Sequence, residues 1–179
     1  MSIDDVLILH PGTKAEEWRQ VGQGWAHVTA VIGESAVIGE WAVIGEWAVI
    51  GKWARIGESA RIGESAVIGK WAVIGEWAVI GKWARIGESA VIGASAQFIS
   101  SPLYIIGTRH CVFESRPGEL TVGCHTHPVD YWIENAAVIG KRNQYSDQQI
   151  AEYMLYFKLA KALDEVRSRV EAAKEEVAT

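Results

Sequence analysis

The chain has 179 residues, 49% of them hydrophobic, and a formal net charge of -5, which bounds it to one ordinary domain or a solenoid with closed ends. The acidic balance, with a pI near 5.6, argues against a nucleic-acid surface, and it favours no acidic substrate. No apolar run of about twenty residues is present to cross a membrane. Asp4 and Asp5 stand where a secretory leader would carry basic residues, so the expected location is the cytoplasm, recombinant expression included. Cys111 and Cys124 alone are too few for a cystine scaffold.

Residues 1–28 read as an N-terminal cap. The hydrophobic run Val6-Leu7-Ile8-Leu9 followed by Pro11-Gly12 predicts a short strand and a turn. Thr13 with Glu16 three residues on has the capping-box pattern and predicts a short helix over 13–20 that closes the first coil.

Residues 29–101 are built on one six-residue phrase, in forms such as Ser-Ala-Val-Ile-Gly-Glu and Trp-Ala-Arg-Ile-Gly-Glu. A period of six predicts a solenoid. Isoleucine recurs at Ile32, Ile38, Ile44, Ile50, Ile56, Ile62, Ile68, Ile74, Ile80, Ile86 and Ile92. With Phe98 in the last unit, twelve hexapeptides at three per turn make four triangular coils of 18 residues. Residues 34–63 and 64–93 are the same thirty apart from Glu40 against Lys70 and Arg61 against Val91. So clean a copy reads as written rather than evolved, which marks an idealised or engineered repeat.

Strand parity places alanine and isoleucine on one face and valine on the other. Arg55, Arg61 and Arg85 occupy the valine slot, and burying their charges in a dry core would be very costly, so that slot faces water and alanine and isoleucine line the lumen. The glycine that follows is expected to turn the corner, with the next Glu or Lys solvated beside it. Residue n then lies over n+18. Trp53 falls over Trp71, while the other corners alternate as Trp41, Ser59, Trp77 and Trp47, Ser65, Trp83. Glu34 over Lys52, Glu64 over Lys82 and Lys70 over Glu88 pair charges, whereas Glu40, Glu58 and Glu76 stack like with like.

After Ser101 the period ends. Leu103 to Phe113 and Leu120 to Cys124 read as two strands joined at Arg116-Pro117-Gly118, a β-hairpin cap spanning 102–128. A helical region fills 129–179. Val129, Trp132, Ile133 and Ala136 have helical spacing, and the repeat-like phrase Ala137-Val138-Ile139-Gly140-Lys141 is expected to end that helix at Gly140. Ser146 or Asp147 caps a second, long helix reaching about Glu176. Tyr156, Leu159, Leu163, Val166, Val170, Ala173 and Val177 fit heptad positions on it, which favours a homo-oligomer, a trimer first.

The hexapeptides resemble the family of left-handed parallel β-helices, in which an aliphatic residue, a glycine or small polar residue, two variable residues and a small residue follow one another. The likeness covers about seventy residues and is specific for fold. It implies left-handed coils. Many members are homotrimers that transfer acyl groups from coenzyme A or acyl carrier protein to sugars, amines and amino acids, and others resemble gamma-class carbonic anhydrases with zinc between subunits. Those acyltransferases use a histidine base in the coils or in a projecting loop. Here 29–101 contains no histidine and no inserted loop, so no active site is carried over.

The remaining chemistry clusters at His110, Cys111, Cys124, His125 and His127. Histidine and cysteine together permit tetrahedral zinc, but the spacing is not a zinc-finger one and alternation sends neighbours to opposite faces. A packed cysteine pair with solvated histidines is the favoured alternative. His125 as a general base would need a carboxylate, for which Asp130 or Glu114 are the candidates. The corner tryptophans, Trp41, Trp47, Trp53, Trp71, Trp77 and Trp83, are read as shielding the corners rather than as a contact strip for carbohydrate or partner. The sequence therefore describes an all-β solenoid with a helical C-terminal extension and a structural, self-assembling role. No cofactor and no nucleic-acid or membrane partner is expected. A coenzyme A-dependent acyltransferase relative and a zinc protein are the alternatives.

Overall fold

A computed structural model describes residues 2–177, with side chains as far as Val170. The chain divides into two units, Met1–Pro102 and Leu103–Thr179.

The first unit is a parallel β-solenoid. Helix α1 (Ile3–Leu9) is followed by a single 3-10 turn, Ala15–Glu17, and by strands β1 (Trp18–Val21) and β2 (Gly24–His27). Two-residue strands then recur every six residues from β3 (Val31–Ile32) to β14 (Gln97–Phe98). They stack into three sheets, one per wall, each pairing residue n with n+18, as in Val43 with Arg61 and Arg61 with Val79. Along each wall the valine-slot N–H donates to an alanine carbonyl of the next coil, as from Val43 to Ala60 at 2.9 Å, and glycine N–H to isoleucine carbonyl, as from Gly45 to Ile62 at 2.7 Å. Every inner rung thus satisfies its own backbone, which lets the lumen stay dry.

The lumen is as the parity argument requires. The lumen-slot alanines and isoleucines from Ala42 to Ala96 are buried, and Phe98 fills the isoleucine slot of the last coil. Ile32, on the edge strand of its wall, is only half-buried. Arg55, Arg61 and Arg85 point outward.

The corners differ from the sequence expectation. Among the described residues the repeat glycines keep ordinary φ; the left-handed conformation is carried by the serine or tryptophan two positions on, from Ser35 at φ 57° to Ser95 at 58°. Each corner is a four-residue turn closed by an alanine N–H on the glycine carbonyl, as from Ala42 to Gly39 at 3.3 Å, with positive φ at the third residue. Glycine is needed for a different reason. A Cβ on Gly57 would sit 2.6 Å from the backbone nitrogen of Glu76 in the next coil. The repeat glycines permit close stacking rather than unusual dihedrals.

The N-terminal expectations are also corrected. Residues 6–9 lie in a helix because Ser2 and Asp5 form a capping box, with Ser2 N–H donating to Asp5 at 2.7 Å, and because Asp4 and Asp5 favour the positive helix N-terminus. The predicted helix over 13–20 reduces to the 3-10 turn, after which Trp18 enters a strand. β1 runs antiparallel along β2, which covers the exposed edge of the first coil. The solenoid wall accordingly begins at β2, one strand before Thr29. Val6, Trp18 and Val43 form a small core outside the lumen, so Val43 is 1% exposed where its equivalent Val37 is 54% exposed.

The second unit is a four-stranded antiparallel meander, β15 (Tyr104–Ile106), β16 (Cys111–Arg116), β17 (Glu119–Val122) and β18 (His125–Pro128), with helices α2 (Val129–Arg142) and α3 (Asp147–Val177). The expected two-stranded hairpin is therefore twice as large: the chain breaks at Gly107–His110, and a second tight turn at Gly123 starts β18. The turn at Pro117-Gly118 is where the sequence places it. Helix α2 continues past Gly140 to Arg142. Gly140 is a packing glycine, since a Cβ there would meet Ile150 at 2.6 Å. Ser146 caps α3, its Oγ accepting from Gln149 N–H at 3.2 Å.

The inner face of α3 is Tyr153, Phe157 and Ala160, packed with Val112, Leu120, Val122, Trp132 and Ala136. This face is offset from the heptad read in the sequence. Leu159, Val166 and Val170 of that heptad are exposed, and Ala173 and Val177 lie outside the described side chains. No helix among the described residues is long and apolar enough to cross a membrane.

Candidate functional site

The solenoid walls carry valine, arginine and tryptophan at positions set by the repeat, and the histidine and cysteine cluster lies in the second unit. There a cavity of about 140 Å³ opens between the β15–β16 loop, the Gly123-Cys124 turn and the ends of α2 and α3. Its floor is apolar and aromatic, formed by Trp132, Ile139, Tyr153 and Phe157. Arg109, His110, Cys124 and His125 stand on the polar side.

Tyr153 builds this site. Its hydroxyl accepts from Arg109 N–H at 3.2 Å and His110 N–H at 2.6 Å and donates to the His110 carbonyl at 2.7 Å. Glu152, one residue earlier on α3, accepts from the Thr108 N–H at 2.9 Å and its hydroxyl at 2.6 Å. These bonds hold the Glu152 carboxyl below its usual range and anchor the loop to the helix. The floor is fixed similarly, for Trp132 stacks on Phe157 at 5.2 Å and donates its indole N–H to the Leu120 carbonyl at 2.8 Å.

Tyr145 closes one side. The Arg109 guanidinium lies 4.6 Å from its ring centroid and donates to the Gln144 carbonyl at 2.9 Å. Burial, reinforced by Tyr153, raises the Tyr145 phenol above its ordinary range, while Arg109 opposes that rise. The phenol therefore stays protonated at neutral pH, with its oxygen 3.4 Å from His110 Nδ1. Two imidazoles, a thiol and a guanidinium at one rim supply donors and acceptors able to hold a small polar group.

The five histidine and cysteine candidates do not converge. His110, Cys124 and His125 border the cavity. Cys111 accepts a hydrogen bond from the Tyr104 hydroxyl at 3.4 Å, and His127 packs against Tyr131 at 4.2 Å and Trp132 at 5.3 Å. Both cysteines are free thiols. Among the described residues no three His, Cys, Asp or Glu side chains come together as a metal-holding group. The carboxylates offered as partners for His125 are committed elsewhere. Asp130 accepts from Lys161 at 2.6 Å, and Glu114, 1% exposed, is held by Arg167 at 2.7 and 2.9 Å and by the Leu103 N–H at 2.6 Å. Sequence reading missed Tyr145 and Tyr153. Their only signal was an aromatic cluster at helical spacing, which a plain helix core also produces.

The corner tryptophans stand where the 18-residue arithmetic puts them. Trp53 and Trp71 stack at 5.3 Å and 5°. Lys52 reaches Glu34 at 2.8 Å and Lys82 reaches Glu64 at 3.0 Å.

The family model that matches the chain is described as the GMPPB C-terminal domain, and it covers residues 20–111, just over half of the sequence. No curated protein matches. Among solved structures, the acetyltransferase domain of PglB from Neisseria gonorrhoeae FA1090 is 19% identical over 44% of this chain and 50% of its own, with a TM-score of 0.21. The chain thus spans about half the length of that domain. A hexapeptide transferase family protein from Anaplasma phagocytophilum is 13% identical over 78% of this chain and 90% of its own, with a TM-score of 0.22.

Proposed function

Since the chain belongs to the GMPPB C-terminal domain family, we propose that it serves as a structural β-solenoid: a rigid, capped module, idealised in sequence, that assembles with copies of itself. One observation carries this reading. From β2 to β14 every strand pairs at n+18, so among the described residues the coils form continuous walls from which no inserted loop projects to carry a histidine. The thirty-residue duplication supports the idealised origin. Self-assembly is supported by the stripe of Leu159, Val166 and Val170 on α3, whose seven- and four-residue spacing fits a coiled-coil seam. A trimer is the expected assembly. Measuring the mass in solution tests it, and a monomer at micromolar concentration that Leu159→Lys leaves unchanged removes the assembly part of the proposal.

A second reading rests on the cavity in the second unit, which brings His110, Cys124 and His125 to one rim. In that reading the protein is a hexapeptide-type acyltransferase relative, with His125 accepting the proton of an amine or hydroxyl nucleophile as it attacks the carbonyl of a coenzyme A thioester; the C–S bond then breaks and the proton passes to the departing thiolate, releasing coenzyme A and the acylated product. Incubation with acetyl-coenzyme A and a panel of amines and sugars separates the two. Turnover abolished by His125→Ala defeats the structural reading; its absence across the panel defeats the catalytic one.

A further inference from the structure

The duplicated unit is thirty residues long and a coil is eighteen, so the three corners of the solenoid are not equivalent. At one corner Trp53 and Trp71 occupy successive coils and close on each other. At a second corner Trp41 and Trp77 are two coils apart with Ser59 between them, and this gap forms an open notch of about 420 Å³. Two strand spacings separate its walls by roughly 9.5 Å. Trp41 and Trp77 both line the notch and share their corner φ, 59° and 60°, with the stacked pair Trp53 and Trp71. They are 41% and 57% exposed.

Polar groups make this notch unlike a bare apolar gap. Arg61 and Asp5, the latter from α1, line it. The Asp5 carboxylate accepts through Oδ2 from the Ser2 N–H at 2.7 Å and hydroxyl at 3.0 Å. The two positions where the thirty-residue copy departs from itself both fall on this corner: Glu40 immediately precedes Trp41, and Arg61 follows Ser59 by two. The third corner has the same order, Trp47, Ser65 and Trp83, but carries Val67 where this one has Arg61.

We infer that the Trp41–Ser59–Trp77 notch is a binding site for a single neutral pyranose ring. Arg61 disfavours a cation in the gap, while Asp5 and the row Glu40, Glu58 and Glu76 disfavour an anion. A polyhydroxylated ring meets both demands, because its hydroxyls donate to the carboxylate and accept from the guanidinium. The spacing agrees. A flat ring between two others needs about 7 Å, whereas a puckered saturated ring with a contact of about 4 Å on each side needs roughly 8 to 9 Å. Sandwiching also demands that both faces be clad in C–H, which holds for all-equatorial β-glucopyranosides. An axial hydroxyl, as at carbon 4 of a galactoside, spoils one face. This site is independent of the cavity in the second unit.

The test uses the full chain and methyl β-D-glucopyranoside, followed through the indole N–H resonances by NMR. A saturable shift of the Trp41 and Trp77 signals is expected, with a dissociation constant of about 1 to 10 mM, the range set by so small a ligand. Methyl β-D-galactopyranoside should bind several-fold more weakly. Ser59→Trp fills the notch with the stack already tolerated at Trp53 and Trp71, so the variant folds and should lose binding at least tenfold, as should Trp77→Ala. Trp47→Ala, at the third corner, should leave it unchanged. The inference is overturned if the native chain shows no saturable shift to roughly 100 mM, if Ser59→Trp still binds, if the galactoside binds equally well, or if Trp47→Ala loses binding as Trp77→Ala does.

Discussion

Exchanging the burdens on glycine and serine within one corner separates close stacking from corner geometry. Gly63 has an ordinary φ, yet a Cβ there would lie 2.7 Å from Gly81 C and Lys82 N and 2.9 Å from Ile80 O, all backbone of the next coil. Carbon contacts relax at about 3.5 to 4.0 Å, so the coils must part locally by most of an ångström. They must do so across a ladder bond, Gly63 N–H to Ile80 O, of only 2.7 Å. Overpacking of this kind costs about 1–3 kcal/mol, and the entropy gained by replacing glycine offsets about 0.4–1 kcal/mol at most. Gly63→Ala should therefore destabilise the chain by about 1–2 kcal/mol. Ser65, at φ 55°, holds the left-handed conformation that asparagine tolerates better, so Ser65→Asn should be neutral or stabilising by up to about 1 kcal/mol. Urea unfolding monitored by tryptophan fluorescence reads both as midpoint shifts at constant slope. If Gly63→Ala matches the parent within about 0.5 kcal/mol, or Ser65→Asn costs more than Gly63→Ala, the assignment of roles at the corner is wrong.

Three further outcomes follow from the same geometry. Ile62→Asp puts a carboxylate into a lumen where Ile62 is 1% exposed and should unfold or open the coil, whereas Arg55→Glu on the outer wall should change stability by less than about 0.5 kcal/mol; circular dichroism melts compare them. Glu114→Gln removes the charge that Arg167 and the Leu103 N–H share and should cost about 1.5–3 kcal/mol, measured by denaturant titration of the second unit's signal. His10 has its pKa lowered by burial first, then by Arg61, His27 and Lys82, so below its ordinary 6.5 the unfolded chain takes up a proton that the folded chain resists. Stability at this residue is present above 6.5 and is lost as pH falls from there toward the lowered folded value, and His10→Gln should flatten that part of the stability profile.

The amino-acid order settles the solenoid almost alone. An isoleucine every six residues, alanine two before it and arginine between them determine wall, lumen and outside, because each strand is too short for any other period to bury an apolar face. Coil arithmetic likewise places Trp53 on Trp71 and Lys52 on Glu34 before any coordinates are known. The corner was misread because composition shows where glycine is used and not which of its two properties is used. Only the stacked backbone reveals that Gly57 answers to Glu76 in the next coil, and that serine and tryptophan carry the positive φ.

Tertiary structure decided the rest wherever partners lie far apart in sequence. Val6 to Leu9 read as a strand until the Ser2–Asp5 cap and the surface over Val43 made a helix the better burial. The cavity of the second unit exists because Tyr153, forty-three residues beyond His110, holds its peptide groups, a pairing no local pattern announces. The notch between Trp41 and Trp77 arises from a mismatch of two periods, thirty and eighteen; both are written in the sequence, but only the folded coil turns their difference into space.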